Sequence, residues 1–539
     1  MVEPRPNSPV FEQYGTTDSV TFPAPFEGPT APCRPRTPHD GPVHGPSPHD
    51  SLSTVFDAGR FRRDAQTAAG HLARNLADTS VRGLDLVDPA LLSKTARSLM
   101  TAERDAVAPF DQARLDAILD LYVRTGIQVH SPGYMGRQFS GVVPLSGVVD
   151  FVSSVVNQPS SFYEAGQLPS VAERIMADEL NRFIGWAPGT FAMITTSGAS
   201  LANLTALLAA RNKAFPGFWS DGGPARGEGG GRPAVAVGAD VHYSVSRAAG
   251  VLGIGDAQIV RLPLGPDRRV CPQRARDELA EAERRGLKVF CLVASAGTTS
   301  VGAFDPLDEL GDLARDKGMW LHVDGAHGAS LLVSDRFRGR LRGIEKADSL
   351  AWDAHKMMFV PAPCTLLFYR DEADSLGAFR QRASYVFDEE PDPYTELDSG
   401  GRNFECTKRP MIMPLWTLWA VYGPALFAEK IEYLCDLAAE THRILLGEPD
   451  FEAVHRPEAN ILCFRHRPAG LGERDVHRFQ VAIRNRIKRE GTYFISKVDI
   501  DGVAALRVVM MNHQITADHV RALLDEIRRV GQDLLTAAA

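Results

Sequence analysis

The sequence predicts an α/β protein: a mostly parallel central sheet with helices on both faces, followed by a small C-terminal α+β domain. Three observations carry this. Between about residue 190 and residue 370, short apolar segments recur as strands and alternate with helical segments. The strands are apolar almost throughout rather than alternating, as strands buried on both faces are. After about residue 435 the texture changes to strand-like runs flanked by two long helical patterns.

The elements follow in order. Residues 1–52 are rich in Pro, Gly, Ser and His and poor in large aliphatics, so they bury too little apolar area to offset their ordering entropy and read as a disordered arm. Residues 53–125 form an N-terminal helical segment, with periodicity from near Ser53 through Leu72 and again over Asp111 to Arg124. Residues 126–434 make up the large domain. Its strands are expected at Phe191–Thr195, Ala234–Val237, Gln258–Pro263, Val289–Ala294, Trp320–Val323, Ser349–Trp352 and Thr365–Tyr369. Helices are expected between them at Leu201–Ala214, Val245–Leu252, Pro272–Arg285 and Leu307–Lys317. The Gly-rich stretch Pro216–Arg232 reads as a mobile surface loop. Residues 435–539 form the small domain, with strands at Asn460–Arg465, Tyr493–Val498 and Ala504–Met511 and helices near Asp475–Glu490 and Ala517–Leu535. Asp499–Gly502 reads as the turn joining the last two strands.

Composition narrows the class. With 44% hydrophobic and 23% charged residues, the balance is that of a globular protein. A net charge of −8 argues against a general polyanion binder, so neither nucleic acid nor a membrane surface is an expected partner. No apolar run is long enough for a transmembrane helix, and the first residues lack the apolar core of a signal peptide. Seven dispersed cysteines without CxxC spacing suggest reduced thiols and a cytoplasmic setting, with no metal site.

The most informative residue is Lys356, in Ser349-Leu350-Ala351-Trp352-Asp353-Ala354-His355-Lys356. An ammonium among apolar neighbours loses solvation, which favours the neutral amine, and a neutral amine attacks an aldehyde. About thirty residues earlier, Trp320-Leu321-His322-Val323-Asp324 is a second apolar strand ending in a carboxylate. A Schiff-base lysine and a carboxylate for a pyridinium nitrogen are the pair that pyridoxal phosphate requires.

Further features lie at other strand ends. Thr195-Thr196-Ser197-Gly198-Ala199-Ser200 follows a strand and opens a long helix, where free N–H groups and the helix dipole favour a phosphate. Alone, this segment reads as a capped helix. His242 sits at the next crossover and could stack on a flat ring; alone, it reads as a surface or core histidine. Thr298 belongs to Ala296-Gly297-Thr298-Thr299, after another strand, and alone is a turn hydroxyl. Asp324 alone could equally form a buried ion pair. Ala326, two residues on, shares its side if the extended geometry continues. Their joint occurrence in order is far more specific than any one of them.

On these motifs the chain resembles the group II pyridoxal-phosphate-dependent amino-acid decarboxylases, the family of the glutamate, cysteine-sulfinate and aromatic-amino-acid enzymes. The resemblance covers roughly residues 55–535 and rests on His355-Lys356, the HVDGAHG strand, the SGASLANLTALLAAR cup and helix, AGTTSVGAFDP and the tail from Leu506 to Leu535. It implies an aspartate-aminotransferase-like fold (fold type I), a homodimer with active sites at the interface, and a role for residues 53–125 in dimerisation. It also implies roles. Lys356 holds the coenzyme, Asp324 pairs with its ring nitrogen, and His242 and Ala326 cover its two faces. Gly198, Ala199, Ser200 and His355 contact the phosphate, while Thr298 and Asp353 line the cofactor site. Arg507 grips the substrate α-carboxylate, a task suited to a permanently charged, fork-shaped guanidinium; alone it would read as an edge-strand arginine. Tyr134 and Gln138 fall where the family has a substrate-pocket loop, although Tyr134 could be a packed aromatic.

Two departures stand out. His327 occupies a position that is aromatic in many relatives. Leu397 stands where the glutamate-like branch has a mobile-loop tyrosine that protonates the substrate carbon; Tyr394 could replace it after a gap shift, or the acidic loop from Ser384 and Tyr385 onward aligns differently. The expected activity is decarboxylation of a small-molecule L-amino acid to its amine. The alternatives are an oxygen-using decarboxylation–deamination to an aldehyde or another carbanion-based reaction of the same coenzyme, which Leu397 motivates, and a non-catalytic relative, disfavoured by the complete set of Lys356, Asp324, His242 and Arg507.

Overall fold

The computed structural model describes residues 54–538, apart from 79, 81, 104–106, 223–230 and 380–396. The expected disordered arm, most of the Gly-rich loop, and Tyr385 and Tyr394 lie outside the described residues. The chain divides into two units after Asp64. In the first, the described residues are mostly helical, and Arg60 pairs with Asp64 at 2.7 Å. The second, Ala65–Ala539, holds every element discussed below.

Seven strands form the central sheet: β1 (Ala192–Thr196), β2 (Arg232–Gly238), β3 (Ile259–Leu262), β4 (Leu287–Ser295), β5 (Trp320–Asp324), β6 (Ser349–Asp353) and β7 (Thr365–Tyr369). Their spatial order is β1-β7-β6-β5-β4-β2-β3. All neighbours pair in parallel except at β7, which runs antiparallel to both β1 and β6. Each expected strand is present, shifted by at most a few residues. The intervening helices are α1 (Ala199–Ala214), α2 (Tyr243–Val251), α3 (Pro272–Arg284) and α4 (Leu307–Asp316).

Alternation along the strands sorts their side chains into two cores. Ala234, Ala236, Leu292, Leu321, Val323, Leu350 and Trp352 join the core that includes Leu279, Leu310 and Leu313 of α3 and α4. Val235, Val237, Cys291, Val293, Trp320 and Ala351 join the other, with Ala202, Ala206 and Leu207 of α1 and Val245 of α2. Residues in step with Trp320, namely His322 and Asp324, therefore face α1. That sorting places a carboxylate and an imidazole over one helix.

The C-terminal sheet contains β8 (Phe451–Ala453), β9 (Ile461–His466), β10 (Ser496–Ile500) and β11 (Val503–Val509), in the antiparallel order β8-β9-β11-β10. The turn between β10 and β11 is shorter than expected. Ile500 pairs with Val503, so only Asp501 and Gly502 turn, both at positive φ (53° and 81°). That geometry suits the right-handed twist of a hairpin.

Several helices escaped the sequence reading: Pro144–Val156, Gln167–Ile184, Ile412–Tyr422 and Ala425–Leu446. Ile412–Tyr422, IMPLWTLWAVY, is apolar on nearly every side and offers little 3.6-residue contrast, whereas Pro144–Val156, PLSGVVDFVSSVV, sets Ser146, Asp150, Ser153 and Ser154 along one face. The latter leaves Val148, Phe151, Val152, Val155 and Val156 exposed. No helix among the described residues is long and apolar enough to cross a membrane.

Candidate active site

The C-terminal ends of β5 and β6 lie side by side, with Asp324 paired in register with Ala351. β6 ends at Asp353, and the single turn Ala354–Met357 follows. Lys356 sits three residues past Asp353, so its Nζ folds back to 2.9 Å from Asp353 Oδ2. The apolar setting expected for this lysine is thus interrupted by a buried counter-charge. Burial pushes the Asp353 carboxyl up, but Lys356, His355 and the Thr365 hydroxyl outweigh it and hold it below the usual carboxylate range. His355 stands 3.6 Å from the same carboxylate through Nε2, while its Nδ1 lies 2.9 Å from the Cys364 carbonyl.

Asp324 is 8% exposed. Its Oδ2 accepts a hydrogen bond from Asn203 Nδ2 at 2.9 Å, and its Oδ1 accepts one from the Ala326 N–H at 3.2 Å. Asn203 lies on α1, on the face the sheet sorting predicts. It also donates to Ser244 Oγ (3.0 Å), and its Oδ1 lies 2.9 Å from His322 Nε2. His322 Nδ1 lies 2.8 Å from Ser349 Oγ, which accepts from Trp320 Nε1 at 2.8 Å. Burial drives the His322 pKa down to about 4 despite the neighbouring Asp324, so the ring is neutral.

His242 caps α2, and its Nδ1 lies 2.8 Å from Ser244 Oγ. Burial lowers its pKa, with Asp324 opposing the shift. A cleft opens between these groups, lined by Ala199, His242, Ser295, Gly297, Thr298, Thr299, Asp324, Ala326, His327 and Lys356. Gly297 holds φ +87°, and a Cβ there would come within 3.1 Å of the Gly328 backbone, so the loop needs glycine to pass this closely. Gly198 opens α1 at φ +104° with open space where a side chain would stand.

Of the residues singled out from sequence, Ala199, His242, Thr298, Asp324, Ala326 and Lys356 line this one cleft. Gly198 and Ser200 flank Ala199 at the same helix start, and Asp353 and His355 stand behind Lys356 without lining it. Arg507 is placed alongside. It is 6% exposed, its Nε donates to the Ser300 carbonyl at 3.1 Å, and Ser300 Oγ lies 3.4 Å from Thr298 Oγ1. Arg507 Nη1 donates to the Gly136 carbonyl at 3.4 Å, which ties it to the loop carrying Tyr134 and Gln138. Burial draws the guanidinium down to about 10, and it stays charged at neutral pH. Among the described residues no carboxylate pairs with it, and its Nη2 has no hydrogen-bond partner. Tyr134 is fully buried and stacks on Phe494 at 5.7 Å; burial pushes its phenol up. Gln138 is partly buried, with its Nε2 unpartnered.

Sequence reasoning missed Asn203, Ser349 and the role of His322. Two signals could have found them. His322 is two residues before Asp324 on a strand, and Asn203 is four after Ala199 on a helix, so each shares a face with a residue already singled out. His327, noted only as a departure, is also notable. Its Nε2 lies 2.7 Å from Asn460 Oδ1, and the Asn460 amide donates to the Met510 carbonyl. The His327 Nδ1 has no partner. Burial, helped by Lys356, brings its pKa down to about 3. Nδ1 is therefore a bare acceptor on a cleft-lining side chain.

This donor set fits pyridoxal phosphate. An amine, a carboxylate held by two N–H donors, an imidazole and a glycine-started helix N-terminus converge on one opening, and the buried Arg507 beside it has no carboxylate partner among the described residues. Comparison with known proteins agrees. The family model for the pyridoxal-dependent decarboxylase conserved domain matches residues 114–467. Acidic amino acid decarboxylase GADL1 of Bos taurus is 28% identical over 422 residues, covering 76% of this chain and 80% of that protein. The crystal structure of mouse CSAD superposes with a TM-score of 0.81 at 23% identity, over 88% of this chain and 100% of that one. Oryza sativa TDC, solved with PLP and tryptamine, gives 0.80 at 23%, over 89% and 99%.

Proposed function

As a member of the pyridoxal-dependent decarboxylase family, the chain is a carboxy-lyase that uses pyridoxal phosphate, and we propose that it converts a small L-amino acid into its amine and carbon dioxide. The observation that carries this reading is Arg507. A buried guanidinium cannot shed its charge, so one left without a carboxylate beside a coenzyme cleft is suited to an anionic substrate group.

Each residue has a task in this reading. Lys356 Nζ is the nucleophile toward the coenzyme aldehyde, with Asp353 holding its counter-charge at 2.9 Å. Asp324 would pair with the ring nitrogen, while His242 and Ala326 would cover the ring's two faces. Ala199 and Ser200 would offer backbone N–H groups to the phosphate, while Gly198, whose own N–H goes to the Thr196 carbonyl at 2.8 Å, would let the backbone approach it closely, with His355 and Thr298 nearby. When bound, pyridoxal phosphate supplies the electron sink for the pair left by the departing carboxylate. Arg507 orients the substrate α-carboxylate by charge-assisted hydrogen bonds, with Tyr134 and Gln138 shaping the same side. The bare Nδ1 of His327 accepts a hydrogen bond inside the cleft. Lys356 Nζ, lining the cleft, can return a proton to the substrate carbon.

A second reading follows from Leu397, which has no exchangeable proton and is not among the described residues lining the cleft. Slow protonation would favour oxidation of the carbanion by dioxygen, giving an aldehyde, ammonia and peroxide. Two further attributes belong with the proposal. Exposed Val148, Phe151, Val152 and Val155, together with the N-terminal helices of segment 53–125, which bury none of their residues, support a homodimer. Free, dispersed cysteines support a cytoplasmic location.

The test is coenzyme-loaded protein assayed against acidic, aromatic and basic amino acids, with carbon dioxide, amine, aldehyde and peroxide all quantified. Amine in equal amount to carbon dioxide is expected. Aldehyde with peroxide would move the conclusion to the second reading, and no carbon dioxide from any amino acid would remove both. Lys356→Ala is expected to lose the coenzyme's visible absorbance together with turnover.

A further inference from the structure

One amide lies at the junction of two coenzyme-facing groups, and its hydrogen-bond directions follow from its neighbours. Asn203, His322, Ser349 and Ser244 are each at most 1% exposed, so no bulk water completes their bonding. Asp324 as a carboxylate only accepts, so the Asn203 atom 2.9 Å from it is the amide nitrogen. The second amide hydrogen goes to Ser244 Oγ. Asn203 Oδ1 is then an acceptor and receives the Nε2–H of His322. His322 Nδ1 is thereby bare and accepts the Ser349 hydroxyl hydrogen, whose oxygen is in turn supplied by the Trp320 indole N–H. On the other branch, Ser244 Oγ has received a hydrogen from Asn203, so its own goes to His242 Nδ1, which leaves the imidazole proton of His242 on Nε2. Every donor in the chain points toward Asp324 or His242.

We propose that Asn203 is a positioning residue that couples the ring-nitrogen carboxylate to the ring-covering imidazole: its two N–H groups hold Asp324 as an aimed anion and fix the proton of His242, while neutral His322, set by Ser349, locks the amide against flipping. The proposal rests on the cleft's reading as a pyridoxal-phosphate site. Its physical basis is polarisation. Aligned hydrogen bonds in a dry interior reinforce one another, and the series from Trp320 through Ser349, His322 and Asn203 ends at the group that must stay negative. Truncating the amide leaves Asp324 Oδ2 and His322 Nε2 buried without the partner each has here, and takes from Ser244 Oγ its donor, leaving it only His242 Nδ1. None of them is the reacting group, so Lys356 keeps its chemistry while the coenzyme loses its alignment.

The experiment uses the full-length, coenzyme-loaded protein and four forms: wild type, Asn203→Ala, His322→Phe and His322→Gln. Thermal melts by circular dichroism confirm folding. The readouts are the ratio of the coenzyme's visible to near-ultraviolet absorbance bands at one pH, and kcat and KM for an amino acid that the wild type turns over. Asn203→Ala and His322→Phe are expected to change the band ratio and to lower kcat about tenfold or more while KM moves less than about threefold. Glutamine can present an amide N–H where His322 has Nε2–H, so His322→Gln is expected to recover the wild-type band ratio and most of kcat. An unchanged band ratio with kcat within about twofold of wild type in Asn203→Ala overturns the proposal. Should Asn203→Ala not fold, equal behaviour of the two His322 variants overturns it, and recovery in glutamine alone sustains it. A wild type that never acquires a visible band defeats the function reading, and this proposal with it, by a separate signal.

Discussion

Two buried cations in this protein are treated in opposite ways. Lys408, 1% exposed, has every partner a cation needs: Glu173 at 2.8 Å and Ser399 Oγ at 3.0 Å, with the Thr195 hydroxyl also on the carboxylate. Arg507, 6% exposed, has two backbone carbonyls, an unpartnered Nη2 and, among the described residues, no carboxylate. The first arrangement is complete within the chain. The second is complete only when an anion arrives. A third cation sharpens the contrast. Lys430 is half-buried with its Nζ 3.6 Å from the Phe359 ring centroid and 3.4 Å from the Gly141 carbonyl, and burial draws its pKa down to about 7. A lysine without a counter-ion can give up its proton; an arginine cannot. An unpaired arginine at this depth is therefore a stronger pointer to a ligand than an unpaired lysine.

The largest effect is expected where the pairing is complete. Lys408→Ala leaves Glu173 charged and buried with the Thr195 hydroxyl but no counter-ion, and should lower the unfolding free energy by about 3–5 kcal/mol in a denaturant titration. A stability within error of wild type would erase the contrast drawn here. Next is Arg507→Ala, whose loss should appear in catalysis: kcat/KM should fall by about 1.5–3 kcal/mol of transition-state binding, with the melting temperature unchanged or higher because an unpaired charge has been removed. Arg507→Lys should recover only part of this, since a single ammonium lacks the two-pronged geometry.

The pH prediction concerns Lys430. Its folded pKa, about 7, lies below the ordinary lysine value of 10.5. Between these values the unfolded chain binds more protons, so stability should rise with pH from about 7 to about 10.5. Below about 7 both states are protonated and the penalty is constant. In Lys430→Met this rise should vanish; if both proteins keep the same stability–pH slope, the lysine is not the source. The smallest effect is expected from replacing Lys408 and Glu173 together with Met and Leu, which should change stability by only about 1 kcal/mol, because a buried pair roughly balances its own desolvation. Comparing this double change with Lys408→Ala separates the worth of the pair from the cost of breaking it.

The sequence reading reached the sheet and the cleft-lining residues for the same reason. β1 to β7 are short apolar runs bounded by turn residues, and Asp324, Ala326, Thr298 and His242 lie at or just past strand ends, where parallel sheets gather ligands. The helix Ile412–Tyr422 stayed hidden because apolar residues on nearly every side erase the periodic signal. The ion pair between Lys356 and Asp353 spans only three residues, yet apolar neighbours in sequence drew attention away from it. The question raised by Leu397 concerns a loop whose preceding residues, 380–396, lie outside the described part of the chain.

Local pattern alone determined which segments become strands and helices, and which chemistry-bearing side chains stand at their ends. That information is carried by periodicities of two and 3.6 residues, within reach of any short window. Only the tertiary structure decided that Asn203 meets Asp324 across 121 residues, that Arg507 reaches Ser300 across 207, and that Lys408 finds Glu173 while Arg507 meets no carboxylate among the described residues. These pairings depend on strand order and on which sheet face each helix covers. Neither leaves a mark in the neighbouring sequence, because the free energy that selects them is the burial of whole faces rather than the preference of any one residue.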